Sequence, residues 1–341
     1  MSLEEVSKDR NNNLNLLRFI AAILVIICHA YPLSQGKLAV DPLGQVTQGQ
    51  IHLGGVAVCA FFFFSGFFLN RSANKGEGAR LFFKCRCIRI FPSLIATVFL
   101  CVFGLGAFIT NLRWNEYFGK LQTYEYLLNC LLVLKHDLPG VFEDNVYNST
   151  VNGSLWTLPV EFLCYIGCFF HYRLGLSKES TMRYTIPFFV VGYVSMYTLL
   201  NQNQLFLSVL RPWSMFYCGM IFDTYRKRIH LKIKYLLLCI VGLIFSSLLG
   251  VLKYGEILFF PYILSYIVFG TEKKVSWFGM KHEISYGMYL CAWPIQQAVI
   301  FLFGGEMNVI LNMIISLPFV IIMGLVLNIC VEKPVVNRFG H

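Results

Sequence analysis

The sequence has few charged residues. Only 13% of its 341 residues are Asp, Glu, Lys or Arg, whereas a soluble domain carries charge on about a quarter of its residues. With a mean hydropathy of +0.62, this shortage excludes an ordinary soluble globular protein. The net charge of +10 gives no reason to expect nucleic acid binding, because the basic residues cluster between apolar runs, as the positive-inside rule predicts for a membrane protein.

Paired cysteines and a leader cleavage site are also missing. None of the 12 cysteines belongs to a C-x-x-C motif, and nearly all stand alone in apolar runs, as Cys59 and Cys218 do. We interpret them as small core residues rather than as disulfide partners or metal ligands. No small-residue cleavage site follows the first apolar run, so we expect the first helix to be retained.

What the sequence does contain is long apolar runs. Ten of them are long enough, at about 17–25 residues, to cross a bilayer. They lie near 14–33, 53–70, 88–110, 155–172, 184–200, 205–222, 235–251, 255–271, 284–303 and 309–331. Basic residues concentrate in every second connection between the runs. These connections are the cytoplasmic ones if the N-terminus is inside, as the positive-inside rule requires. The pattern therefore predicts an all-α polytopic membrane protein with about ten transmembrane helices and both termini in the cytoplasm.

The same pattern indicates one membrane-embedded domain over 1–341. It begins with a short polar tail, 1–13, and includes a long outer-side segment, 111–154. Within that segment the apolar run at 124–134 is too short to span a bilayer, so it predicts an interfacial or re-entrant helix.

The first apolar run carries two polar residues that share a helix face. Arg18 and His29 are eleven residues apart, which returns to nearly the same face after a rise of ~16 Å. An ionisable group facing lipid costs about 2.5–3.5 kcal/mol, so both side chains are expected to face the protein interior. His29 is a candidate general base; the alternative is a buried histidine that binds a carbonyl or hydroxyl group.

Glu161 is the candidate partner of this histidine. In the fourth run it is expected ~9 Å below the outer boundary, while His29 is expected ~8 Å below it. A carboxylate beside an imidazole fixes its tautomer and stabilises the imidazolium that forms when the ring takes a proton. The alternative for Glu161 is a structural ion pair with an arginine of another helix.

Arg86 and Arg89 lie at the inner end of the third run. Their i,i+3 spacing places both guanidiniums on one helix face, where they can bind phosphate with forked hydrogen bonds. Together with Arg18 they predict a site for a phosphate-bearing donor on the cytoplasmic side. The alternative for Arg86 is an interfacial arginine that contacts lipid phosphate.

Six blocks in order along the chain give it a resemblance to the acyltransferase-3 family, integral membrane proteins that O-acylate surface polysaccharides. They are LRFIAAILVIICHA at 17–30, FFFFSGFFL at 61–69, RCIRIFP at 86–92, SLWTLPVEF at 154–162, ISYGMYLCAWP at 284–294 and VEKP at 331–334. The chain departs from many relatives in the ninth run, where YLCAWP replaces YLWHxP, which excludes a second histidine at that point.

The resemblance implies a membrane O-acyltransferase that uses cytoplasmic acyl-CoA, most often acetyl-CoA, and no metal. Its acceptor would be a hydroxyl of a surface glycan or lipid-linked sugar. His29 matches the essential histidine of the first helix and Arg18 the arginine before it. Arg86 and Arg89 match the R-x-x-R pair of the acyl-CoA side, and Glu161 matches the acidic residue of the W-T-L-x-x-E block.

Some relatives complete the transfer with a C-terminal soluble domain, and this chain stops about ten residues after the last run. Either the membrane domain acylates its acceptor alone or a separate periplasmic or extracellular partner finishes the reaction. The expected location is the inner membrane of a bacterium, in contact with membrane lipid. Two alternatives are a transporter or flippase of a lipid-linked glycan, which transfers no acyl group, and a structural membrane subunit.

Overall fold

The structure is a computed structural model that describes residues 1–9, 11–76, 78–200, 203–272, 274–275, 277–279 and 281–339. Within these ranges it is helical and contains no named strand, so the all-α prediction is confirmed. Among the described residues, ten helices have 14 residues or more. We number them α1 (Leu14–Gln35), α2 (Leu53–Ala73), α3 (Ala79–Phe99), α4 (Thr157–Arg173), α5 (Glu179–Leu199), α6 (Gln204–Thr224), α7 (Ile233–Leu248), α8 (Leu252–Ser265), α9 (Ser285–Leu302) and α10 (Val309–Leu327).

Six helices of the described residues are long and apolar enough to cross a membrane. They are Leu14–Gln35, Leu53–Ala73, Ala79–Ile109, Gly153–Arg173, Leu252–Gly270 and Val309–Phe339. Each of the ten predicted runs falls on one of the helices α1 to α10. That all ten span the bilayer, with both termini in the cytoplasm, stays a prediction. We call the side on which α1 begins the inner side and the opposite side the outer side.

The centre of the fold is α2, which packs against α1, α4 and α6. Its small residues explain the position better than its hydropathy does, because they let helix backbones approach closely in a membrane. Two glycines bring α2 and α6 into backbone contact. A Cβ atom at Gly66 would overlap the carbonyl oxygen of Phe216, and one at Gly219 would overlap that of Phe63.

The outer segment 111–154 folds into short helices and then returns over the bundle. Its apolar run forms the helix Leu121–Glu125 and the 3₁₀ turn Tyr126–Leu131. The end of the segment is fixed to α9, since the Asn152 side chain donates to the carbonyl oxygen of Leu290 at 2.8 Å. The segment therefore covers α9 near the outer end of the first helix.

On the inner side, the polar tail 1–13 includes the helix Leu3–Lys8. A capping box between Ser2 and Glu5 starts this helix. Its apolar residues Leu3 and Val6 are buried in the main hydrophobic core. The tail is thus ordered against the inner side of the bundle over this stretch.

Candidate active site

A small central cavity of about 60 Å³ lies between α1, α2, α3, α4 and α9. Three of the five residues selected from the sequence line it: Arg18, Arg89 and Glu161. Ser65 of α2 and Tyr286 of α9 line it as well. The structure therefore brings two of the predicted donor-side arginines together with the predicted carboxylate.

Arg18 is held by an acidic residue that the sequence reasoning missed. Its Nη1 atom donates to Oε1 of Glu283 at 2.9 Å, and its side chain is only 12% exposed. The Ser285 hydroxyl donates to the same carboxylate oxygen at 3.2 Å. Burial works to raise the pKa of the Glu283 carboxyl, but the guanidiniums of Arg18 and Arg89 outweigh it and hold the pKa below its ordinary value.

Arg89 connects the central cavity with an inner cavity. It lines both, and Tyr286 does so too. Its side chain is exposed because it projects into this open space rather than into packed side chains. The inner cavity is also lined by Glu283, Glu332 and Lys333. This side of the site therefore holds cations beside carboxylates, within reach of a polar ligand.

Glu332 belongs to the same inner network. It accepts hydrogen bonds from Ser93 of α3 at 2.9 Å and from the Asn328 side chain at 2.8 Å. Asn328 in turn donates to the backbone oxygen of Glu283. Three elements that are distant in sequence are thus joined around the mouth of the inner cavity.

Arg86 lies apart from these cavities. Its Nη1 atom donates to the carbonyl oxygen of Phe82 at 2.9 Å, and its guanidinium lies 4.2 Å from the centre of the Phe82 ring. It is absent from the described lining of the central and inner cavities. Arg86 thus folds back on its own helix and does not share a cavity with Arg89 in this structure, and a joint phosphate site stays a prediction.

Glu161 binds residues other than the predicted histidine. It accepts hydrogen bonds from Tyr165, one turn later on α4, and from the Ser65 hydroxyl at 3.3 Å. Across the described residues no hydrogen bond or ion pair joins Glu161 to His29, so the expected contact is not formed. Position along a helix determines the depth of each side chain but not the direction in which it points.

His29 lines a separate outer cavity. Its ring packs edge to face on Trp293 of α9, with centroids 4.8 Å apart. Its Nδ1 atom is buried and has no hydrogen-bond partner among the described residues. Trp293 is fixed in turn, since its indole nitrogen donates to the carbonyl oxygen of Thr150 at 3.2 Å. The imidazole is therefore positioned by packing rather than by a carboxylate.

The three cavities form a row from the inner to the outer side. Val58 and Tyr289 line both the central and the outer cavity. The Tyr289 hydroxyl donates to the carbonyl oxygen of Ser154 at 2.7 Å and also contacts the Thr157 hydroxyl at 2.7 Å. Tyr289 therefore forms a partition between the central cavity and the cavity of His29, and these hydrogen bonds hold it in place in this structure.

The sequence pattern did not single out Ser65, Glu283 or Tyr165 as site residues. A usable signal existed for Glu283, because a buried arginine needs an anion and this carboxylate immediately precedes the ninth run. No comparable signal marked Tyr165, whose role depends on the direction of Glu161. In the part of the chain that the structure describes, no group of three His, Cys, Asp or Glu residues is placed to hold a metal ion.

Comparison with known proteins gives the family. The model of the acyltransferase-3 family, described as an acyltransferase domain, matches residues 11–332. The O-acetyl transferase of Shigella phage Sf6 is 28% identical over 304 residues, which are 85% of this chain and 86% of that protein.

Two further relatives match about half of the chain. Nodulation protein 10 of Rhizobium leguminosarum bv. viciae is 31% identical over 48% of this chain and 44% of its own length. Acyltransferase MdmB of Streptomyces mycarofaciens is 29% identical over 46% of this chain and 38% of its own length. No solved structure matches. Since the family model spans nearly the whole chain, the protein belongs to the acyltransferase-3 family and is an integral membrane acyltransferase.

Proposed function

We propose that the protein transfers an acyl group, preferentially acetyl, from cytoplasmic acyl-CoA to a hydroxyl of a cell-surface or lipid-linked glycan. One observation carries the proposal: cavities lined by arginine on the inner side lead, through the partition at Tyr289, to a cavity lined by His29. The phage relative named O-acetyl transferase, similar over 85% of this chain, supports acetyl as the group. The bacterial and phage relatives support the inner membrane of a bacterium as the location.

On the donor side, Arg18 and Arg89 bind the phosphates of acyl-CoA. Guanidinium groups suit this task because their forked donors match phosphate oxygens. A phosphate entering the inner cavity competes with Glu283 for Arg18, since both are anions at the same guanidinium. Arg86, one turn before Arg89, adds positive charge on this side without touching the ligand.

On the acceptor side, His29 acts as general base. The acceptor oxygen bonds to the thioester carbon while its proton passes to the imidazole, and the C=O electron pair moves to oxygen. The resulting oxyanion collapses, the C–S bond breaks, and the thiolate takes the proton from the imidazolium. No redox partner is required. The thioester reaches His29 past Tyr289, so we propose that this partition opens when the donor binds.

Glu161 keeps a proposed role, but a different one from that predicted. With Ser65 and Tyr165 it forms a polar group in the central cavity, on the path between donor arginines and histidine. There it is placed to position the arm of the donor through hydrogen bonds. Among the described residues no carboxylate is bonded to His29, so the imidazole acts as a base without a charged hydrogen-bond partner there.

A thiol-release assay tests the function. Purified protein in liposomes receives acetyl-CoA and a glycan acceptor, and free CoA and acetylated glycan are measured together. Equal amounts of both products are expected. Movement of a lipid-linked glycan without CoA release would support the transporter alternative and contradict the proposal. Transfer that appears only after an outer-side partner is added would show that a separate protein completes the reaction.

A further inference from the structure

A buried ion pair stands beside the outer cavity. Arg211 of α6 donates through Nε at 3.0 Å and through Nη2 at 2.7 Å to one carboxylate oxygen of Glu256 on α8. The two side chains are only 16% and 3% exposed. Burying two charges at this depth is costly and must be offset by their pairing. Such a pair calls for a functional explanation, because apolar residues would fill the same space at lower cost.

Arg211 also lines the cavity of His29, together with Cys28, Trp156 and Ser208. Among the described lining residues it is the only arginine or lysine. The guanidinium lies against the backbone of α2, where a Cβ atom at Gly55 would come within 3.3 Å of Nη1. A glycine at this point therefore leaves room for the guanidinium to reach the cavity.

The hydrogen-bond geometry leaves one part of Arg211 available. Glu256 engages Nε and Nη2, whereas Nη1 has no hydrogen-bond partner within the described ranges. Since Glu256 fixes the orientation of the planar guanidinium, the N–H groups of Nη1 are held in place before any ligand arrives. Donors that need no reorganisation are the kind that stabilise a developing charge best.

The charge balance indicates which ligand fits. Arg211 and Glu256 together carry no net charge, so the site does not favour a permanent anion such as a phosphate or carboxylate. It suits an oxygen that becomes negative only transiently. Acyl transfer creates such an oxygen when the acceptor adds to the thioester carbonyl, and His29 lines the same cavity.

We propose that Arg211, oriented by Glu256, donates from Nη1 to the carbonyl oxygen of the acyl group and stabilises the oxyanion formed beside His29. This inference rests on the proposed function, because it assigns a residue to the same reaction. It makes Arg211 a catalytic residue of the outer cavity and Glu256 its positioning residue.

The test compares two variants of the full-length protein in liposomes with acetyl-CoA and a glycan acceptor. Arg211→Met/Glu256→Met removes the whole pair, a change that proteins often tolerate in their interior. Its kcat is expected to fall about 10²–10³-fold, the usual cost of losing one oxyanion donor, while KM for both substrates stays within about threefold. Arg211→Lys retains a cation for Glu256, so it is expected to keep the wild-type melting temperature yet lose kcat at least about tenfold.

The control is Lys253→Met. Lys253 is another outer-side cation, which contacts the rings of Tyr197 and Tyr254 and does not line the outer cavity. The kcat of the Lys253→Met variant is expected to equal that of the wild type. Wild-type kcat in the folded double variant would overturn the inference, and so would a raised acceptor KM with kcat retained. Wild-type kcat in Arg211→Lys, together with a wild-type melting temperature, would show that any cation serves at this position. That result would indicate a structural role for Arg211 and would overturn the inference too. A wild-type protein that releases no CoA would overturn the proposed function, and this inference with it.

Discussion

Arg18 and Glu283 lie 2.9 Å apart, nitrogen to oxygen, where the central cavity meets the inner cavity. The pair joins the first helix to the connection just before α9. The ion pair holds the Arg18 guanidinium at the mouth of the site. Glu283 also engages the positive charge that a phosphate ligand would bind. The contact therefore has opposite effects on the stability of the protein and on the binding of an anionic donor.

Glu283→Gln is expected to lower KM for acyl-CoA by about 5- to 10-fold. A hydrogen bond to a charged group contributes about 1.5–3 kcal/mol, and the neutral amide gives up part of this to the incoming phosphate. Glu272→Gln, an exposed change in the same connection, is the control and should leave KM unaltered. A higher KM in Glu283→Gln would mean that Glu283 orients Arg18 for the donor instead of competing with it.

Glu283 also makes the stability of the protein dependent on acid pH. Because its pKa is depressed in the folded state, its contribution is complete above its ordinary pKa of 4.5 and is lost as the pH falls through the lower folded pKa. The melting temperature in detergent should therefore decrease below about pH 4.5. This decrease is expected to be shallower in Glu283→Gln than in the wild type, and parallel curves would contradict the assignment.

His29→Ala is expected to lower kcat about 10²–10⁴-fold, because the acceptor hydroxyl then attacks without a general base. His136→Ala provides the control, since His136 is exposed in the outer segment and should retain full activity. Melting temperatures of both variants show whether they fold. A folded His29→Ala protein with wild-type kcat would remove the proposed mechanism while leaving the family assignment intact.

The long apolar runs were sufficient to predict the helices. Each run is bounded by polar loops, so its position follows from hydropathy alone, and all ten appear as helices. The placement of Arg18 facing the interior could also be predicted, since lipid exposure is too costly for a guanidinium. Its partner Glu283 could not, because the 265 positions that separate the two residues are bridged only by tertiary packing.

The sequence predicted which residues line the site but not which of them contact one another. Arg18, Arg89 and Glu161 do line one cavity, because their spans place ionisable groups where only the interior can accept them. The expected contact between His29 and Glu161 is not present in the structure, because helix rotation is set by packing. Trp293 occupies one side of the imidazole, and Tyr165 takes the carboxylate through an i,i+4 contact on α4.

The observed contacts of Glu161 yield a prediction that separates the two roles. Glu161→Gln preserves an acceptor for Tyr165 and Ser65 but removes the charge. If Glu161 positions the donor, KM for acyl-CoA should rise about 3- to 10-fold, within the range for one charged hydrogen bond, and the pH at which kcat is half-maximal should stay constant. A shifted pH profile would instead restore the predicted function of orienting His29.

Helices α2 and α6, which both contribute residues to the outer cavity, pack in backbone contact. At Gly66 this contact leaves no room for a larger side chain. Gly66→Ala should destabilise the folded protein by about 1–3 kcal/mol, the usual cost of overpacking, because the added Cβ overlaps the backbone oxygen of Phe216, which cannot rotate away. Gly167→Ala in α4 is the matched control, since nothing lies within 4 Å of its Cβ position. There the higher helix propensity of alanine should be neutral or stabilising. Thermal unfolding in detergent measures both, and equal stability of the two variants would show that the helices separate at little cost.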